Sequence, residues 1–150
     1  MLRQKRKELK KIPDSFKVDC ININIVPFKA GIEELFRRMT DALVETLQES
    51  IERDADMVHS FVKKGLEKLS KNPKSVDEIE QMNNDAMAIG VEKAGIVKTF
   101  QGCELKSKMI KQMTGVAMRG MGEIESMWRE FDARLAAFQD KIEEQKTRLV

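Results

Sequence analysis

The chain has 150 residues, of which 41% are apolar, 35% charged and only 5% aromatic, with no Tyr, two Cys and a formal net charge of +2. That balance suits long solvated helices better than a globule with a wide interior, and the length allows one domain. The charge is uneven: Arg3, Lys5, Arg6, Lys7, Lys10 and Lys11 stand against Glu8 alone, and taking these from the totals of 27 basic and 25 acidic residues leaves 21 against 24, so a broad basic face for nucleic acid is excluded beyond the first eleven residues.

Residues 1–12, MLRQKRKELKKI, predict a short charged helix ended by Pro13. Its cations are read as a solvated helix end rather than as a contact for nucleic acid or a membrane. Over residues 16–26, Ile21, Ile23 and Ile25 alternate with Asn22 and Asn24, the period of an extended strand. No other segment has that period, so its pairing partner is expected outside the chain or not at all, with the segment lying extended against helices.

Pro27 suits a first helical turn, and an apolar stripe follows: Ile32, Leu35, Phe36, Met39, Leu43, Leu47, Ile51, Ala55, Val58, Val62, Leu66 and Leu69. This is the first long helix, residues 30–70, with Glu33 and Arg37, Glu34 and Arg38, and Glu49 and Arg53 spaced for i, i+4 pairs. Pro73 in SKNPK stops it. Ser75 and Glu78 then form a capping box that opens a second helix over 75–113. Its seam of Ile79, Met82, Ala86, Ile89, Ile96, Phe100, Cys103 and Ile110 is interrupted by Lys93 and Ser107, and Gly90, Gly95 and Gly102 leave room for a kink or break near Gly102.

Residues 114–122, TGVAMRGMG, hold three glycines and read as a turn into the final helix, 122–150. Ile124, Trp128, Phe131, Leu135, Phe138, Ile142, Gln145 and Leu149 follow at alternating spacings of four and three, a seam that needs a second helical surface to cover it. With no Gly, Asn or Pro near Val150, this helix is read as truncated. Short connections make helical neighbours antiparallel. The expected fold is all-α: three long helices in an up-down-up bundle or coiled coil, with a short extended segment near the N-terminus, the whole chain forming one helical-bundle segment.

Little in the sequence suggests chemistry. Catalysis or metal binding needs converging His, Asp, Glu or Cys, and His59, the single His, has no recognisable partners, so it is read as an ordinary surface or boundary residue. No GK[ST] follows a glycine loop, which removes a nucleotide cradle. No catalytic, cofactor or metal residue is expected. Cys20 and Cys103 are far apart, which fits a reducing, cytosolic setting, and no apolar run is long enough to insert into a membrane. Met109, Met113, Met118, Met121 and Met127 crowd the second turn, where flexible side chains fill irregular gaps. Trp128 is accounted for by packing on the heptad seam rather than by a partner.

Residues 12–51, IPDSFKVDCININIVPFKAGIEELFRRMTDALVETLQESI, resemble the tail of cytoplasmic dynein 2 heavy chains, where an I-P-[DE]-x-[FL]-K-V-D-C run and a V-P-x-K step lead into a long helix. SMWREFDARLAAFQDKIEEQKTRL, residues 126–149, is similar to the helix that closes that tail before the linker, and SVDEIEQMN, residues 75–83, to its capped second helix. The resemblance implies a structural tail segment of a minus-end-directed microtubule motor that drives retrograde intraflagellar transport in cilia and flagella. Its expected partners are other parts of the same heavy chain and dynein intermediate or light intermediate chains, with no nucleic acid. Two alternatives stand beside it: an axonemal dynein heavy chain tail, and an independent coiled-coil adaptor in which the seam from Ile124 to Leu149 pairs with its twin.

Overall fold

The computed structural model describes residues 1–149, with the side chain of Leu149 excepted. It contains α1 (Leu2–Lys11), β1 (Ser15–Val18), β2 (Ile21–Asn24), α2 (Val26–Leu69), α3 (Val76–Thr114) and α4 (Met121–Leu149). The chain forms two compact units, Met1–Thr46 and the residues from Leu47 onward.

In the first unit α1 ends where Ile12 turns extended ahead of Pro13, with Lys10 and Lys11 in the last turn, where cations suit the helix dipole. Leu9 is buried, Arg6 reaches Glu33 at 3.3 Å, and Lys5 pairs with Glu8 at 3.0 Å. Lys29 joins the connection to α2: its ammonium donates to the Ile12 carbonyl and lies 2.9 Å from Asp14. The Ile25 amide donates to the Asp14 carbonyl, which closes the base of the strand segment.

That segment is a hairpin, and its pairing partner is internal. β1 and β2 are antiparallel, with Phe16 opposite Ile23 and Val18 opposite Ile21 on one face, and Lys17 opposite Asn22 on the other. The expectation of a single strand paired outside the chain is therefore corrected. The Asp19-Cys20 turn has no Gly to announce it; Asp19 takes a φ of 54°, a left-handed conformation that Asp tolerates better than most residues.

α2 starts at Val26, four residues earlier than the stripe suggests, because the Asn24 side chain accepts from the Val26 amide and Pro27 already has a helical φ. Its ion pairs also differ from the expected set. Glu33 is drawn to Arg6, while Glu34 binds both Arg37 at 2.6 Å and Arg38 at 3.2 Å. Among the described residues no ion pair joins Glu49 to Arg53. Hydrogen bonds from Arg37 and Arg38 hold the Glu34 carboxyl down at about 2, and Glu34 in turn raises Arg37.

The second unit is an up-down-up bundle of the rest of α2 with α3 and α4. α2 and α3 are antiparallel, as Lys106 meets Ser50 and Asp54 near one end while Leu69 packs beside Met82 and Ala86 near the other. α3 and α4 are antiparallel too, with Lys93 beside Asp132 and Lys146 donating to Asn83. Ser75 caps α3, its hydroxyl oxygen accepting from the Glu78 amide at 3.3 Å. The reciprocal half of the capping box is displaced by one residue: the Glu78 carboxylate accepts from the Lys74 amide rather than from that of Ser75. α3 runs through Gly90, Gly95 and Gly102 without a break and ends at Gly115, whose φ of 75° turns its N–H back to the Lys111 carbonyl.

Candidate functional site: an aromatic-centred interhelical core

The seam read from the final helix lies against the other two helices. Trp128, Phe131, Leu135, Phe138 and Ile142 are buried, and Ile124 and Gln145 are half-buried. Leu149 falls outside the described side chains. Phe131 is fully enclosed in a cluster with Val58, Phe61, Val62, Ile89, Trp128 and Leu135, flanked by Ile96, Val97 and Phe100. A second cluster joins Phe138 and Ile142 to Met82 and Ala86, with Leu69 packed against it.

Four rings from three helices meet at the centre. Trp128 of α4 stacks on Phe100 of α3, with centroids 5.3 Å apart and planes 9° from parallel, and Phe131 meets Phe61 of α2 edge-on at 5.2 Å. Trp128 also touches Phe131 at 5.9 Å and Phe61 at 6.3 Å. Offset and edge-on pairs of this kind contribute about 0.5–1.5 kcal/mol each beyond the area they bury. The three pairs that Phe61 and Phe100 make with Trp128 and Phe131 also fix one helix against another.

Gly65 permits the closest approach. A Cβ built at this position would lie 2.6 Å from Cε2 of Phe131, so α2 and α4 can come this near only because position 65 has no side chain. The stripe read from α2 contains neither Gly65 nor Phe61. Phe61, at i+3 from Val58 and next to Val62, was the available signal that the apolar face is wider than a two-position seam.

Two lysines clasp the bundle. Lys93, at a polar break in the α3 seam, lies 2.5 Å from Asp132 of α4. Lys106, next to the other break at Ser107, donates to Asp54 at 2.6 Å and to Ser50 at 2.7 Å on α2. Both pairs are partly exposed, so water screening keeps their contribution modest and their main effect is to fix register. Cys103 is wholly buried beside the Ile51 carbonyl. Burial, followed by the nearby Asp54 charge, raises its thiol pKa, which suppresses the reactive thiolate. Cys20 is exposed on the hairpin turn, and His59 is exposed.

The methionines divide: Met121 is buried, Met113, Met118 and Met127 are half-buried, and Met109 is exposed. Among the described residues, no three His, Cys, Asp or Glu group so as to hold a metal ion, and no helix is long and apolar enough to cross a membrane. The arrangement is apolar contact locked by two ion pairs.

No known family profile matches the chain. Whole-chain relatives do. The chain is 31% identical over 144 residues to cytoplasmic dynein 2 heavy chain 1 of Homo sapiens, a match that covers 96% of this chain and 3% of the relative. It is 26% identical over 145 residues to the protein of the same name from Caenorhabditis elegans and 24% over 155 residues to that from Chlamydomonas reinhardtii, covering 97% and 99% of this chain and 4% of each relative. The chain thus spans only about 3–4% of the length of these relatives. With predominantly helical packing of the kind the resemblance implies and matched residues from end to end, the chain is similar along its whole length to one short segment of cytoplasmic dynein 2 heavy chains.

Proposed function

We propose that this segment is a stiffening strut in the tail of a minus-end-directed microtubule motor, placed between the cargo-binding part of the tail and the linker, and working in retrograde intraflagellar transport in the cilium. The single unit of 1–150 read from sequence is narrowed in this proposal: the strut is the bundle from Leu47 onward, and Met1–Thr46 is a separate element beside it in sequence. The observation that carries the reading is the α4 seam, whose buried residues are enclosed by α2 and α3. A bundle fastened along its length bends less than a lone helix, so tension entering one helix is shared by three. The chemistry of the motor belongs to other parts of the heavy chain, which also supply this segment's nearest partners; intermediate or light intermediate chains are the further candidates.

The same enclosure weighs against the independent dimeric adaptor, because the stripe that would pair with a twin is already occupied. The test uses a full-length motor that carries this segment, with Trp128→Ala and Phe131→Ala combined. Microtubule gliding against load should fall by at least about half while unloaded ATP turnover is unchanged, since a softened strut loses force and not catalysis. Unchanged loaded gliding would contradict the strut.

A further inference from the structure

Along the side of the bundle where α2 and α3 adjoin, an open groove of about 850 Å³ is floored by Phe61, Gly65, Ile89 and Ile96. Its α3 wall is low at Gly95, where an added Cβ would meet nothing within 4 Å. Val91, one helical turn before Gly95 on the same face, is 78% exposed, and Met57 on the α2 lip is 54% exposed. α3 is thus apolar beyond its core face, a distribution expected of a helix with neighbours on more than one side.

The charges are arranged with the groove. Met57, Phe61, Lys64 and Lys68 share one face of α2 by their spacing, and Lys71 follows at the same end, whereas Asp56, Ser60 and Glu67 share the next face outward. Among the described residues none of these three lysines enters an ion pair. Glu92 stands on the opposite, α3 wall. One wall therefore offers a row of unpaired cations beside an apolar floor.

We propose that this groove receives an amphipathic helix from another polypeptide, its apolar residues at heptad spacing over Phe61, Ile89 and Gly95, and its carboxylates along the flank that faces Lys64 and Lys68. The trough between two antiparallel helices is the seat a fourth helix takes in a bundle, and the absent side chain at Gly95 lets its backbone come close. Carboxylates one turn apart match lysines one turn apart.

The probes are two monomeric stapled helical peptides, identical except for Glu or Lys along one flank, with binding to the 150-residue chain read by fluorescence anisotropy. The Glu peptide should bind about tenfold more tightly, and Lys64→Glu with Lys68→Glu should reverse the preference. Gly95→Leu should abolish binding of both peptides while circular dichroism and the melting temperature hold, because its side chain enters open space. Equal binding of the two peptides, or binding that survives Gly95→Leu in a folded variant, would overturn the proposal. So would a concentration-dependent dimer in sedimentation that Gly95→Leu dissolves, which would give the groove to a second copy. None of these readouts depends on force transmission.

Discussion

α2 carries one apolar stripe through two surroundings. From Ile51 onward its residues are enclosed, with Val58 and Val62 fully buried, whereas Leu35, Met39 and Leu43 in the first unit are exposed. The sequence pattern is the same in both stretches, so the pattern shows that an amphipathic face exists and not that anything covers it. Coverage depends on what faces the helix. In the second unit two further long helices supply it; the first has only a ten-residue helix and a hairpin of four-residue strands, and Phe16, Val18, Ile21 and Ile23 are exposed there as well.

Paired truncations should widen that contrast. Phe131→Ala is expected to destabilise the chain by about 3–5 kcal/mol, and Leu43→Ala by less than about 0.5 kcal/mol, since the first leaves a cavity and the second removes an exposed side chain. Urea unfolding followed by circular dichroism measures both, and similar shifts would erase the distinction between the two stretches. Gly65→Ala sharpens the account at one contact. The usual gain of about 1 kcal/mol from Gly to Ala in a helix should be overturned by the clash with Phe131, for a net loss of about 1–2 kcal/mol. The same substitution at Gly95, where space is open, should stabilise.

The thiols offer a smaller and independent measure. Cys20 should react with a maleimide or a disulfide reagent within the mixing time of the native chain, while Cys103 should be slower by about a hundredfold or more until the bundle opens, because burial raises its pKa and blocks access. Smallest of all is the Glu34 effect. Its depressed pKa means that the contribution of its arginine pairs is present above the ordinary value of 4.5 and is lost as pH falls from there through about 2. The side chain is partly exposed and its pairs are screened by water, so the change in stability should be slight, but an NMR titration of the carboxyl should show a midpoint near 2 that rises toward 4.5 in Arg37→Ala, Arg38→Ala.

Much of the bundle was legible in the sequence, since heptad spacing fixes which residues of α4 share a stripe and Pro73 and Gly115 punctuate the chain. The hairpin was not, because its turn is Asp-Cys and lacks the Asn-Gly or Asp-Gly pair that normally marks one. Gly65 was invisible for a different reason. In sequence it is a helix-weakening glycine like Gly90 or Gly102, and only the position of the Phe131 ring makes it a site of close approach. Lys93 and Lys106 were likewise unreadable as clasps: sequence shows a polar break in a seam, whereas the partner carboxylates lie on other helices.

Acrylamide quenching of Trp128 across a dilution series tests the central claim most directly, that the α4 stripe is covered by helices of its own chain. The account predicts that Trp128 stays shielded from quencher at every concentration, down to those at which the chain is monomeric. A Trp128 that becomes fully quenchable on dilution would show that the stripe is covered only by a second molecule, and would contradict the account.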